Sequence, residues 1–151
     1  MDARQTKGFT LVELIVVILL IAIVSAYAVS RYAGTASFAA QVAQEQVISV
    51  IRQVQVTRMQ SNVDAAAGNT NFVLVVNADC VGSQVGCANR VNSQSDWVSL
   101  EEVIFSPTVT IPFDLLGNPE NGAATINIRS TDGSCSAVII SDIGYVSRGA
   151  C

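Results

Sequence analysis

The sequence predicts an α+β protein: a long amino-terminal helix, one half membrane-spanning and one half amphipathic, packed on a carboxyl-terminal antiparallel sheet. Three observations predict it. Residues 9–29 are an apolar run interrupted by one charge, Glu13. Residues 36–54 repeat small and branched apolar side chains at helical spacing. From residue 72 onward, short β-branched runs alternate with Gly, Pro and Asp-Gly breaks. The chain therefore divides into a leader over 1–8, an apolar helical half over 9–29, an amphipathic half over 30–62 and a β-rich head over 63–151.

The 21 residues of 9–29, at about 1.5 Å per helical residue, match the hydrocarbon thickness of a bilayer. A carboxylate within such a run costs roughly 2.5–3.5 kcal/mol at the bilayer centre and less near its edge, so Glu13 is a functional candidate. Arg4 and Lys7 precede the span and only Arg31 closely follows it. That bias places the leader in the cytoplasm and everything after the span outside.

In the next segment, Ala36, Ala40, Ala43, Val47, Val50 and Val54 recur at intervals of four and three, while Gln41, Gln44, Glu45, Arg52 and Gln55 fall on other faces. No Pro occurs here and only Gly34 interrupts the pattern, so the helix is expected to continue to about Ser61-Asn62, ahead of Ala65-Ala66-Ala67-Gly68-Asn69. A coiled-coil partner would need more sustained heptads, and the stripe is read as packing on the chain's own sheet.

The head begins with a strand at Phe72–Val76 and a polar loop containing Gly82 and Gly86 that extends to Ser95. Val103–Phe105 and Val109–Ile111 flank Pro107; Pro112, Gly117 and Pro119 mark further breaks. Ala124–Ile128 and Ser136–Ile140 enclose Thr131-Asp132-Gly133-Ser134, a strong hairpin pattern, and Asp142-Ile143-Gly144 turns the chain into Tyr145–Ser147. The result is an antiparallel meander. Cys80, Cys87, Cys135 and Cys151 form an even set in a region facing an oxidising compartment. Four cysteines allow three pairings; local spacing favours Cys80 with Cys87 and Cys135 with Cys151. A metal site is disfavoured, because the chain has no histidine and Cys-x6-Cys is not a usual zinc spacing.

Catalytic patterns are missing. Without histidine there is no Ser-His-Asp or Cys-His arrangement, and no Gly-rich phosphate loop follows a strand. Glu101 and Glu102 are adjacent, so in an extended strand they would point to opposite faces. Asp132 and Asp142 read as turn residues. No enzyme activity and no cofactor are expected. Without residues 1–8, the eight basic and twelve acidic groups become six and eleven, a net charge of −5. Such a chain is a poor general nucleic-acid binder, although Arg129 and Arg148 could form a local patch.

The residues Arg4-Gln-Thr-Lys7-Gly8-Phe9-Thr10-Leu11-Val12-Glu13-Leu14 resemble the prepilin signature of type IV pilins and type II secretion pseudopilins. The resemblance implies cleavage between Gly8 and Phe9 by a prepilin peptidase, N-methylation of Phe9, and use of Glu13 in filament assembly. It also implies other pilin subunits, the inner-membrane assembly machinery and membrane lipid as partners. The expected location is a single-pass inner-membrane precursor with a periplasmic head, then an extracellular pilus or a periplasmic pseudopilus. Physically, a new Phe9 amine is a cation at the positive end of the helix dipole, and Glu13 one turn on shares its face. Pairing that amine with the Glu13 of an arriving subunit buries both charges together and selects one axial register. The plain alternative is a Glu reaching the headgroup region.

A second export reading competes. Leu14–Val24 followed by Ala26-Tyr27-Ala28 fits a secretory cleavage site after Ala28, which would release a soluble binding domain starting at Val29. Against it, Asp2 and Glu13 offset Arg4 and Lys7, and the helical pattern runs through the cut. The tail segments Phe113-Asp-Leu-Leu-Gly-Asn-Pro119 and Gly133–Ser147 are similar to the carboxyl-terminal region of minor pilins and minor pseudopilins, in particular minor pilins of mannose-sensitive haemagglutinin type pili, which serve cell adhesion. Many major pilins carry a helix-bending proline near the end of the apolar run, whereas this chain has Ser30 and no Pro before Pro107. That departure favours a minor pilin, with a minor pseudopilin as the alternative.

Overall fold

The computed structural model describes residues 9–32, 38–63 and 69–151, with backbone alone over 29–32. It separates into two compact units, residues 1–36 and 37–151. The leader with Arg4, Lys7 and Gly8, the Gly34 interruption and the Ala65–Gly68 stretch lie outside the described residues.

The first unit is helix α1, Leu11–Tyr32. Its sequence lacks Pro and Gly, and Thr10 starts it: the Thr10 hydroxyl accepts the Glu13 N–H at 3.2 Å, and the Thr10 carbonyl accepts the Leu14 N–H at 3.2 Å. Over Leu11–Ala28 the mean hydropathy is 2.8 and no residue is buried. Every apolar side chain described on α1 faces outward, the condition of a helix whose solvent is lipid or other helices.

The second unit places helix α2, Ala39–Met59, against two antiparallel four-stranded sheets. The strands are β1 (Val73–Val76), β2 (Val81–Ser83), β3 (Trp97–Val98), β4 (Val103–Ser106), β5 (Val109–Pro112), β6 (Ala124–Ser130), β7 (Cys135–Ile140) and β8 (Val146–Gly149), with a short helix α3 (Gln84–Asn89) after β2. One sheet runs β3-β2-β1-β5 and the other β4-β6-β7-β8. The expected meander is β6-β7-β8, with Ile126 opposite Val138 and Val138 opposite Arg148. The single expected sheet is in fact two, because β4 and β5, neighbours in sequence on either side of Pro107, pair with β6 and β1 respectively. A backbone bond from the Phe105 N–H to the Ala78 carbonyl, 3.0 Å, ties the second sheet to the turn after β1.

The core follows the alternation of side chains along the strands. Ile126, Ile128 and Ser130 are buried on β6 while Thr125 and Arg129 are exposed. Ala40, Ala43, Val47, Val50 and Val54 are all buried on α2 and meet Leu74, Val76, Phe105, Ile111, Ile128 and Ile140 in one continuous cluster. Each fully buried Val, Leu, Ile or Phe contributes about 1.5–3 kcal/mol, so this stripe is what holds α2 to both sheets.

The segment between Cys80 and Cys87 departs from expectation. It is β2 followed by α3, not a polar loop. Ser83 extends the chain at the helix start, and its hydroxyl accepts the Gly86 N–H at 2.9 Å. Arg90, at φ 51°, ends the helix in the left-handed conformation. Close packing explains the two glycines: a Cβ on Gly82 would lie 2.5 Å from the Trp97 Cα.

Candidate functional site

The candidate site begins where α1 begins. Phe9 is 83 % exposed, and Glu13 occupies the first turn of the helix, also exposed. There the helix dipole favours a carboxylate. Thr10-Leu11-Val12-Glu13 has the form of a capping box, whose hydroxyl half is made in the structure. The cap fixes the helix start at Leu11 and so fixes where Glu13 stands. Sequence reasoning assigned Glu13 to assembly and overlooked Thr10, although the Thr-x-x-Glu spacing was visible. Gly8, the other side of the expected cleavage site, lies outside the described residues.

The disulfides join Cys80 to Cys87 and Cys135 to Cys151, each with 5.9 Å between Cα atoms, inside the range that a disulfide spans. The first staples the start of β2 to α3, where Cys80, Cys87, Val75 and Trp97 form a small satellite core. The second anchors the final residue to the first residue of β7. Nearby, the exposed Arg90–Asp79 ion pair at 2.5 Å holds the Asp79 carboxyl below its usual range, chiefly through the guanidinium hydrogen bond.

A polar clamp on α2 was invisible to the periodicity. Gln44 and Gln55, expected on solvent faces, are 6 % and 8 % exposed. Gln44 donates to the carbonyls of Ala137 at 2.5 Å and Gly149 at 2.9 Å. Gln55 donates to those of Gly117 and Gly144, both at 2.8 Å. Arg52, exposed as expected, reaches the Val146 carbonyl at 3.2 Å. The buried Arg58 donates to the carbonyls of Phe113 at 2.9 Å and Val63 at 2.6 Å, and its guanidinium stands 5.6 Å from the Phe72 ring centroid. A long amide reaches past the apolar stripe to backbone carbonyls of the sheet and its loops, so that its own buried donor is satisfied. Arg52 on Val146 and Gln44 on Gly149 tie the edge strand β8 to α2.

Gln55 also joins the two tail segments singled out in the sequence. The Phe113–Pro119 loop is closed by Asp114, whose carboxylate accepts the N–H groups of Leu116 and Asn118, each at 2.8 Å. Partial desolvation raises the Asp114 carboxyl, but the Asn118 backbone and side-chain bonds and the Leu116 bond outweigh it and leave it below 3.8. Asp132 and Asp142 both lie in turns, and Asp132 accepts the Ser134 N–H at 2.9 Å. Glu101 and Glu102 form an exposed turn.

The local basic patch that Arg129 and Arg148 could have formed is not built. In the β6-β7-β8 register Arg148 shares a sheet face with Val138 and Ile126, while Arg129 alternates to the opposite face. Arg148 is instead paired with Glu45 at 2.5 Å.

No curated protein and no solved structure matches the chain. Residues 3–29 match the prokaryotic N-terminal methylation motif, which spans the expected cleavage site, Phe9, Glu13 and most of α1. That motif implies processing by a prepilin peptidase and assembly with other pilin subunits, and with α1 it fits a membrane-anchored precursor. The match supports a type IV pilin-like or pseudopilin subunit.

Proposed function

We propose that the chain is a minor type IV pilin subunit, cut between Gly8 and Phe9, N-methylated at Phe9 and assembled into a filament through α1. One observation carries the reading: the methylation motif coincides with a helix on which nothing from Leu11 to Ala28 is buried, and whose one charge over that stretch, Glu13, stands in its first turn. Such a helix is stable in lipid before assembly and against other helices after it. Glu13 then pairs with a Phe9 amine, its own or a neighbour's, and sets the axial register. The head folds on the periplasmic side, where the two disulfides form, and travels with the filament. The absence of proline before Pro107 favours a minor subunit; a type II secretion pseudopilin shares the same maturation and would stay in the periplasm.

The test is the intact mass and amino-terminal sequence of the protein made in a host with a complete pilus assembly system, before and after thiol reduction. The expected chain begins at methylated Phe9, gains four hydrogens on reduction of its two disulfides and appears in sheared extracellular fibres. A chain beginning at Val29 overturns the proposal, and a correctly matured chain retained in the periplasm assigns it to the pseudopilins.

A further inference from the structure

Met59 is the last residue of α2 and is 52 % exposed. Its side chain lies on the loop that follows β5: a Cβ on Gly117 would stand 3.3 Å from the Met59 Sδ and 3.7 Å from its Cγ. Gln55, one turn earlier on the same helix, comes to the same place, with its own Cβ 3.8 Å from that point. The thioether therefore covers Gly117 beside the bonds that Gln55 makes to the Gly117 and Gly144 carbonyls. With Val56, Leu116 and Ile143, these residues line an open cleft of about 230 Å³.

The atoms at this position set its chemistry. A thioether reached by hydrogen peroxide gives a sulfur lone pair to one peroxide oxygen. The O–O bond breaks, that oxygen stays on sulfur, and the other leaves as water with both protons; the sulfur is oxidised as the peroxide is reduced. The product is a polar sulfoxide whose oxygen accepts hydrogen bonds and donates none. A primary amide has two N–H donors, and Gln55 directs its Nε2 at both Gly117 and Gly144. Arg52, which also borders the cleft, lies seven residues back on α2, about 10.5 Å along the helix. The new oxygen must then take one of the Gln55 bonds or turn out into water. In either case the apolar cover on Gly117 is lost.

We propose that Met59 is a reversible oxidation site, and that its conversion to the sulfoxide by a peroxide loosens the Gly117 and Gly144 loops from Gln55. Those loops carry Leu116 and Ile143, which are 75 and 74 % exposed. The oxidation state of one sulfur thus sets how firmly two strongly exposed apolar side chains are held. Enzymes that return methionine sulfoxide to the thioether restore the clamp. The proposal does not depend on the maturation of the chain: the other methionine, Met1, lies far from Met59 in sequence and falls in a different peptide on digestion.

The test treats the full chain in detergent with hydrogen peroxide. Peptide mass mapping locates the added oxygen, and urea unfolding followed by Trp97 fluorescence reads its effect. The expected result is one oxygen on the Met59 peptide, a fall in the unfolding midpoint, and recovery of both after treatment with methionine sulfoxide reductases. Met59→Leu keeps an apolar cover without the sulfur and should hold its midpoint under the same peroxide; an equal fall there places the damage elsewhere and overturns the proposal. In Gln55→Ala the sulfur should still be oxidised, but the midpoint should shift much less than in the unaltered chain, because the clamp is already gone. An unoxidised Met59, an oxidised Met59 with an unchanged midpoint, or an equal shift in Gln55→Ala each overturns it as well.

Discussion

The Gln55 side-chain amide donates to the Gly144 carbonyl at 2.8 Å, and the same nitrogen donates to Gly117. One side chain on α2 thus binds two loops that are distant in sequence: the Asp114-centred loop before β6 and the turn between β7 and β8. The loops also touch each other, since a Cβ on Gly144 would lie 2.3 Å from the Gly117 carbonyl oxygen. The helix and the tail of the head are held by backbone acceptors as well as by apolar contact.

Replacing Gln55 by Ala leaves both carbonyls without their donor in a buried setting. Each lost bond of this kind costs about 1–3 kcal/mol, so destabilisation of about 2–6 kcal/mol is expected from urea unfolding of the full chain in detergent, followed by Trp97 fluorescence. Gln41→Ala, on the exposed face of the same helix, is the control and should change the midpoint little. Equal effects of the two would show that the clamp contributes nothing.

Two glycines separate backbone conformation from crowding. Gly122 and Gly144 have nearly the same φ, 80° and 77°, but nothing lies within 4 Å of a Cβ on Gly122. Gly122→Ala therefore carries only the left-handed strain of about 1–2 kcal/mol. Gly144→Ala carries that strain and also forces the Gly117 loop away from Gln55. It should lower the unfolding midpoint much further than Gly122→Ala; similar shifts would mean that the two loops are not in contact.

The Cys135–Cys151 bridge closes a sequence separation of 16. Constraining the unfolded chain over such a loop is worth about 3 kcal/mol. The Cys135→Ser, Cys151→Ser double variant should unfold at correspondingly lower urea concentration, while Cys80–Cys87 persists and still yields two hydrogens on reduction. Loss of both disulfides in that variant would mean that the pairs form dependently.

Asp114 gives the head a pH-sensitive loop. Its carboxyl is held below 3.8 by hydrogen bonds from Asn118 and Leu116 that overcome desolvation. A depressed folded-state value adds stability that is fully present above the unfolded value and is lost as pH falls through the folded one. Stability should therefore drop below about pH 4, and Asp114→Asn should flatten that acid limb while lowering stability at neutral pH. An unchanged acid limb would remove Asp114 from the account.

Much of the architecture was legible because it rests on period and punctuation. The apolar run ending at Val29, the buried stripe from Ala40 to Val54 and the Asp132-Gly133 hairpin each use a local rule. The split into two sheets was not legible, because the partners of β4 and β5 are set by contacts distant in sequence. Helix α3 was hidden because six residues with two polar ends show no period; its cap, Ser83 three residues before Gly86, was the available sign. Gln44 and Gln55 were misplaced for a different reason. Polarity marks a helical residue as solvent-facing only if no carbonyl acceptor lies within its reach, and those carbonyls belong to strands β7 and β8 for Gln44 and to two loops for Gln55, whose positions the helix sequence does not contain. At the amino terminus, the methylation motif over residues 3–29 was readable directly, since it is carried by consecutive residues.

Glu13 can be tested independently of cleavage because Lys7 is the only lysine in the chain. Cutting between Gly8 and Phe9 removes it, so isotopically labelled lysine stays with the precursor and is absent from the mature subunit. Glu13→Ala is expected to lose the lysine label as completely as the unaltered chain, while its recovery in sheared fibres falls by at least about tenfold, the effect of roughly 1.4 kcal/mol at the contact. The mechanism is specific to charge: without the carboxylate, an arriving subunit must bury the Phe9 amine alone, and no register along α1 is preferred over another. Glu13→Asp keeps the charge but shortens the reach, so partial recovery is expected; Glu13→Gln keeps the reach without the charge and should resemble Ala. If Glu13→Gln assembles as well as the unaltered chain, a hydrogen bond suffices and the ion-pair account fails. If Glu13→Ala retains the lysine label, the residue acts at cleavage, and its position at the third residue after the Thr10 cap becomes the explanation to pursue.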